Sequence, residues 1–228
     1  MTRPNIQERI FEAQLSVLVT GIDNRFWTAY SIADVYFKTS ACSETAEYYH
    51  EANEDPHSGG KDSANQVIWD AREFFLRILA CRMEQVREEW NNVVSQLLKN
   101  IEPYVRSPVL PQSPATNLIK VDKIFDENSD TASSPKHDMT QDESYKWTIR
   151  VLRKYTSHLS KTVSRWETFK EGEIRYFFKP NSSALAESSF GVHLAAVNRD
   201  IEELIVLKKS LEHQTEMFEN MTNSVSES

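Results

Sequence analysis

The stretch Val192-His-Leu-Ala-Ala-Val-Asn-Arg-Asp-Ile-Glu-Glu-Leu204, continued to Val225, decides the fold class. Within it Leu194, Val197, Ile201, Leu204, Lys208, Leu211, Thr215, Phe218, Thr222 and Val225 recur at steps of three and four. A helix turns about 100° per residue, so these steps keep one stripe on one face, a heptad-spaced series with polar breaks. At ~1.5 Å per residue, some 30 residues make a rod of roughly 50 Å, longer than a small domain needs for its own core. Such a rod packs along other helices. Leu194, Val197, Ile201, Leu204, Leu211 and Phe218 are the expected interface residues of a homo-oligomer or of a contact with a related helical partner. An intramolecular hairpin with another helix of the chain would use the same stripe.

Two further segments have the helical period. Asp70-Ala-Arg-Glu73 fits a capping box, in which the Asp70 side chain accepts from the Glu73 amide and Glu73 reaches back. The helix it opens carries Phe75, Leu79, Val86, Trp90, Val93, Leu97 and Ile101, widened by Phe74, Ile78, Val94 and Leu98, and is expected to stop at Pro103. On it Arg72, Arg77, Arg82 and Arg87 are five apart, a spacing that spirals round the helix and reads as a solvated surface laced with pairs such as Glu73 to Arg77. The other helix opens at Thr140-Gln-Asp-Glu143 and closes near Gly172, a residue suited to the left-handed position past a C-terminus. Its inner face is expected to be Trp147, Val151, Leu152, Tyr155, Leu159, Val163, Trp166 and Phe169.

The N-terminal part mixes signals. Ile6 to Gln14 has helical spacing, Leu15-Ser-Val-Leu-Val has the alternation of a short strand, and Gly21 separates it from Phe26, Trp27, Tyr30, Ile32, Ala33, Tyr36 and Phe37, read as an aromatic-rich helix. Five of the eight prolines fall between Pro103 and Pro135, so 103–138 reads as a long connection. The expected organisation is a mostly α protein: residues 1–65, an aromatic-rich segment plus an acidic loop, pack on an elongated bundle of three long helices over 66–228.

Composition limits the function. An aromatic content of 11% is too much apolar surface for a disordered chain, and 26 Lys and Arg against 34 Asp and Glu give a net charge of −8 that disfavours nucleic acid. No apolar run approaches the ~20 residues that span a bilayer, and the N-terminus lacks the apolar stretch of a signal peptide. The expected location is cytoplasmic, with membrane attachment only through a partner. Cys42 and Cys81 are then expected as reduced thiols.

Candidates for chemistry are few. The acidic cluster around Glu47, His50, Glu51, Glu54 and Asp55 has metal-ligating residue types, and Mg2+ is the ion it would attract. It lacks the spacing that puts two imidazoles on one helix face, and a solvated acidic loop is the preferred reading of it. No Gly-x-Ser-x-Gly elbow or Gly-rich phosphate loop exists, Cys81 lies beside an apolar stripe, and the five Trp fall at core-like spacings. No catalytic residue is expected.

Three stretches resemble the cytosolic region of fungal CorA-like proteins, relatives of the magnesium-channel family. They are Gln14-Leu-Ser-Val-Leu-Val through Asp34-Val-Tyr-Phe37, Trp69-Asp-Ala-Arg-Glu-Phe-Phe-Leu76 through Trp90, and Trp166-Glu-Thr-Phe169 with the terminal rod. The resemblance implies a bundle of long cytosolic helices, with a last helix acting as a stalk, in a ring of identical subunits. It lends no conduction residues, because the two membrane helices and the Gly-Met-Asn motif of that family have no counterpart here. The expected function is a non-enzymatic helical scaffold or self-association module. The alternative is a divalent-cation-binding regulatory module of a CorA-like magnesium transport system.

Overall fold

The computed structural model describes residues 15–23, 26–33, 54–63, 65, 68–106, 141–177 and 184–226. Among them are a two-stranded antiparallel hairpin, β1 (Leu15–Gly21) and β2 (Trp27–Ala33), and three helices, α1 (Ala71–Arg106), α2 (Gln141–Gly172) and α3 (Ala184–Ser226). A 3-10 turn, Ile174–Tyr176, follows α2. No helix of the described residues is long and apolar enough to cross a membrane. The mostly helical class is as expected. The expected helix over Ile6 to Gln14, the connection beyond Arg106, the Thr140 cap and Cys42 lie outside the described residues.

The aromatic segment after Gly21 is a strand, not a helix. Trp27 to Ala33 pairs with β1 in the register Leu15↔Ala33 through Gly21↔Trp27. Trp27 and Tyr30 are three apart, which mimics a helical step, but Trp, Thr, Tyr and Ile are strand formers and the ladder satisfies their backbone groups. Ile22 N donates to Phe26 O at 3.0 Å, and Asp23 Oδ1 accepts from Phe26 N at 2.9 Å, which closes the turn. Gly21 is required by close approach: a Cβ there would lie 2.3 Å from Phe26 O.

Two compact units divide the chain, and each helix contributes to both. In the unit formed by 13–88 and 163–203, Trp27 packs on Phe74 with ring centroids 4.9 Å apart and donates from Nε1 to Trp69 O at 3.0 Å. Phe75, Phe169 and Phe177 form an aromatic cluster, with Phe75 and Phe177 stacked at 5.9 Å. Leu76, Ile78, Trp166, Phe190, Leu194, Val197 and Ile201 are buried there. Leu76 lies off the expected stripe of α1, while Phe75 and Leu79 are only half-buried. Trp69, expected as core, is exposed.

The other unit takes α1 from Glu89, α2 to Thr162 and α3 from Leu204. Val94, Leu97 and Ile101 of α1, Leu152, Tyr155 and Leu159 of α2, and Leu204, Leu211 and Phe218 of α3 are buried. Trp90 meets Tyr155 edge-on at 5.9 Å, and Tyr145 meets Phe218 at 5.7 Å. The Thr215 hydroxyl, buried in this seam, donates to Leu211 O at 2.8 Å, which satisfies a polar member of an apolar stripe.

Three terminus details differ from expectation. α1 continues to Arg106, past Pro103. Proline fixes φ near a helical value and removes only its own N–H, so close to a helix end the turn persists. Gly172 ends α2 without a left-handed residue, since the only positive-φ glycines among the described residues are Gly59 and Gly60. Instead Glu173 N donates to Phe169 O at 2.8 Å and the chain tightens into the 3-10 turn. At α1, Asp70 Oδ1 accepts from Arg72 N and Glu73 N as a cap, but Glu73 accepts from the Ser189 hydroxyl of α3 at 2.7 Å.

Candidate functional site

The densest polar assembly is a loop, residues 54–63, seated on the first turns of α1. Glu54 and Ser63 close it as an isolated bridge, Asp55 N donates to Asp62 O, and Gly59 and Gly60 at φ +72° and +84° turn the chain. Adjacent left-handed positions favour glycine, because a Cβ there crowds the backbone. The buried Ser58 ties the interior, donating to Asp55 O at 2.8 Å and accepting from Asp62 N at 2.9 Å.

The four arginines of α1 are structural tethers, which corrects their reading as a solvated surface. Steps of five advance about 140° round a helix, so each guanidinium meets a different neighbour. Arg72 donates to Phe177 O and lies over the Phe190 ring. Arg77 Nε reaches Asp62 Oδ2 at 2.7 Å. Arg82 donates to His57 O at 2.6 Å and Pro56 O at 2.8 Å. Arg87 pairs with Asp200 at 3.1 Å and Glu203 at 3.2 Å. Lys61 Nζ, from the loop, adds Glu84 at 2.7 Å.

The electrostatics of this platform are those of locked groups. Hydrogen bonding from Arg77 holds Asp62 below the usual carboxylate range. Burial, helped by the nearby Asp62 charge, pushes the Cys81 thiol up to about 11, so it is protonated and unreactive at neutral pH. Burial also lowers His193 from its ordinary 6.5, against the pull of Glu73 and Asp62 and with the push of Arg77. Cys81, Asp62 and His193 are therefore a neutral thiol, a paired carboxylate and a neutral imidazole. That set has no activated nucleophile.

Asp200 is the most unusual group. It is 1% exposed and occupies a place among Val197, Ile201 and Leu204 on the apolar side of α3. Arg87 Nε at 3.1 Å and Arg199 at 3.6 Å give it charge, yet neither carboxylate oxygen nor Arg87 Nε has a well-directed hydrogen bond. Burial raises its pKa, and the two arginines oppose that only in part.

Of the expected metal ligands, Glu47, His50 and Glu51 lie outside the described residues. Glu54 sits at the loop's closing bridge, and both Asp55 oxygens accept backbone N–H groups, from His57 and Ser58 at 3.1 Å each. Among the described residues no group of three or more His, Cys, Asp or Glu side chains is arranged to hold a metal ion. The expected interface residues Leu194, Val197, Ile201, Leu204, Leu211 and Phe218 are all buried within this single chain, none more than 8% exposed.

A further feature legible in the sequence is a basic face on α2. Residues 144–166 contain Lys146, Arg150, Arg153, Lys154, Lys161 and Arg165 and no Asp or Glu, in a chain of net charge −8. At about 100° per residue these six fall within an arc of roughly 120°, opposite the buried stripe. Every one but the half-buried Lys154 is exposed. The signal is the acid-free window; averaging charge over the whole chain hides it.

No protein-family model matches the chain, and no curated protein or solved structure matches it significantly.

Proposed function

We propose that this chain is a non-enzymatic helical scaffold of the cytoplasm, an elongated three-helix bundle resembling the stalk region of CorA-like proteins. The observation that carries the reading is the apolar seam of α3, a helix of 43 residues whose inward residues are covered by the chain's own α1 and α2. At ~1.5 Å per residue that helix is roughly 65 Å long, a length suited to a spacer. The neutral Cys81, the paired Asp62 and the four tethering arginines support a structural role, since these groups are committed to static contacts. The capped Asp55 carboxylate removes one donor from the divalent-cation alternative. Calorimetry with Mg2+ at millimolar concentration tests that alternative.

The test of the scaffold is the double substitution Leu204→Asp and Leu211→Asp, read by light scattering and circular dichroism. With the seam internal, wild type is monomeric and the double variant loses its helicity, because two fully buried leucines worth about 1.5–3 kcal/mol each are replaced by charges. An oligomeric wild type whose double variant dissociates with helicity intact would overturn the internal seam and establish self-association through α3.

A further inference from the structure

The geometry points to a zwitterionic lipid surface as the partner of the β1–β2 hairpin, met by one face of the hairpin without crossing the bilayer. The register pairs Ser16 with Ile32, Leu18 with Tyr30 and Thr20 with Thr28, and Ile22 N donates to Phe26 O one step beyond the last pair. Side chains alternate between the two faces of a strand, so these eight residues share one face. All eight are exposed, whereas Val17, Val19, Trp27, Ala29 and Ser31 of the opposite face are half-buried, with Trp27 against Phe74. An antiparallel pair with one face on the core ordinarily turns polar side chains to water. Here the outward face carries Leu18, Ile22, Phe26, Tyr30 and Ile32.

Area, shape and charge together select the partner. The five apolar side chains expose roughly 500 Å². That is at the upper end of the ~300–600 Å² patch found on monomers and short of the ~800 Å² per partner of a stable protein complex. Ile22 is 94% and Phe26 70% exposed beside the turn, so both project from the hairpin. A rigid protein surface would need a pocket for each, whereas headgroups and acyl chains part around a projecting side chain. Elements that lie in the interface bury their apolar face about 5–10 Å deep, and tyrosine is among the residues enriched there.

Charge decides which lipid. Asp23 and Arg25 are the only charged residues of 15–33, so the hairpin is neutral, while the whole chain carries −8. A neutral apolar face matches zwitterionic headgroups, and an anionic leaflet repels the rest of the molecule. This inference goes beyond the scaffold reading and does not rest on it, because the hairpin and the seam of α3 share no residue.

The test uses the full chain and phosphatidylcholine vesicles at millimolar lipid, read by cosedimentation, with circular dichroism on every variant. Wild type is expected on the vesicles at low and high salt alike, and less of it when phosphatidylserine is added. Ile22→Ser combined with Phe26→Ser reduces partitioning by about tenfold or more, since both apolar side chains at the turn are lost. Leu18→Ser combined with Tyr30→Ser, an independent pair, reduces it several-fold. Val206→Ser, which removes an exposed apolar side chain of α3, leaves it unchanged. The helical signal stays that of wild type; if the first pair loses it, the Leu18 and Tyr30 pair decides by the same criterion. The proposal is overturned if wild type is not retained on phosphatidylcholine, or if a helical variant of either pair partitions like wild type. It is equally overturned if retention requires phosphatidylserine and falls with salt, which assigns binding to basic side chains. A dimer without vesicles that the same substitutions dissociate would overturn it too, by showing that a second copy covers the face.

Discussion

Asp200 and Arg87 form a pair whose two halves have opposite effects on stability. The carboxylate is 1% exposed and without a well-directed hydrogen bond, while the Arg87 side chain retains 19% exposure and also contacts Glu203, Glu84 and Glu88. Removing the acid leaves Arg87 with three other carboxylates in partly solvated pairs. Removing the base leaves Asp200 buried with only Arg199 at 3.6 Å. Replacing Asp200 by Leu extends the apolar run of Val197, Ile201 and Leu204, and burying such a side chain contributes about 1.5–3 kcal/mol, less the ~1 kcal/mol or more that overpacking can cost. The expected net effect is a stabilisation of about 1–2 kcal/mol, with the isosteric Asp200→Asn between zero and about +1 kcal/mol. Arg87→Met strands the carboxylate and is expected to destabilise by about 3 kcal/mol.

Urea unfolding at pH 7, followed by circular dichroism, measures all three variants, with the slope m checking that the unfolded state is unchanged. The pH dependence gives a second reading. The Asp200 pKa is raised in the fold above its ordinary 3.8, so ionising it disfavours the fold. The advantage of Asp200→Asn is therefore full above the folded pKa, shrinks as pH falls through it, and is gone only well below the ordinary 3.8, where the carboxyl is protonated in both states. If Asp200→Asn and Asp200→Leu each destabilise by more than 1 kcal/mol at constant m, the carboxylate is a net stabilising partner and the reasoning fails.

Two further outcomes are expected. Gly191 is exposed inside α3, and a Cβ there meets nothing within 4 Å, so Gly191→Ala should stabilise by about 1 kcal/mol and raise Tm by roughly 2–4 °C; a lower Tm would refute the open-space reading. His193 is held below 6.5 by burial, so the unfolded chain binds its proton first and stability should decline as pH falls through about 6.5. His193→Gln should flatten that limb in urea titrations between pH 5 and 7, and an unchanged limb would show that His193 is not its source.

Much of the helical architecture was legible because it is local. The seam of α3 follows from apolar residues at steps of three and four, a property of consecutive residues alone, and the end of α2 at Gly172 from a glycine, although not in the left-handed conformation expected of it. The Asp70 cap was equally legible, since an N-cap acts within three residues. The hairpin was not. Trp27 to Ala33 carries both a helical step and strand-forming residues, and only pairing with β1 resolves the conflict. The acidic loop was visible as a charge run, but the partners of Asp55 and Asp62 were not. The basic face of α2 was fully visible as an acid-free window.

The sequence by itself determined that this chain folds as long amphipathic helices, where two of them turn inward, and that one of them carries a cationic stretch free of acidic residues. Tertiary structure decided the rest: that the aromatic segment is a strand, that four spirally placed arginines tether four different neighbours, and that α3 covers its seam with its own chain. The physical reason is range. Periodicity and capping depend on residues within a turn of each other, whereas a strand, a guanidinium and an apolar stripe acquire their roles only from a partner distant in sequence.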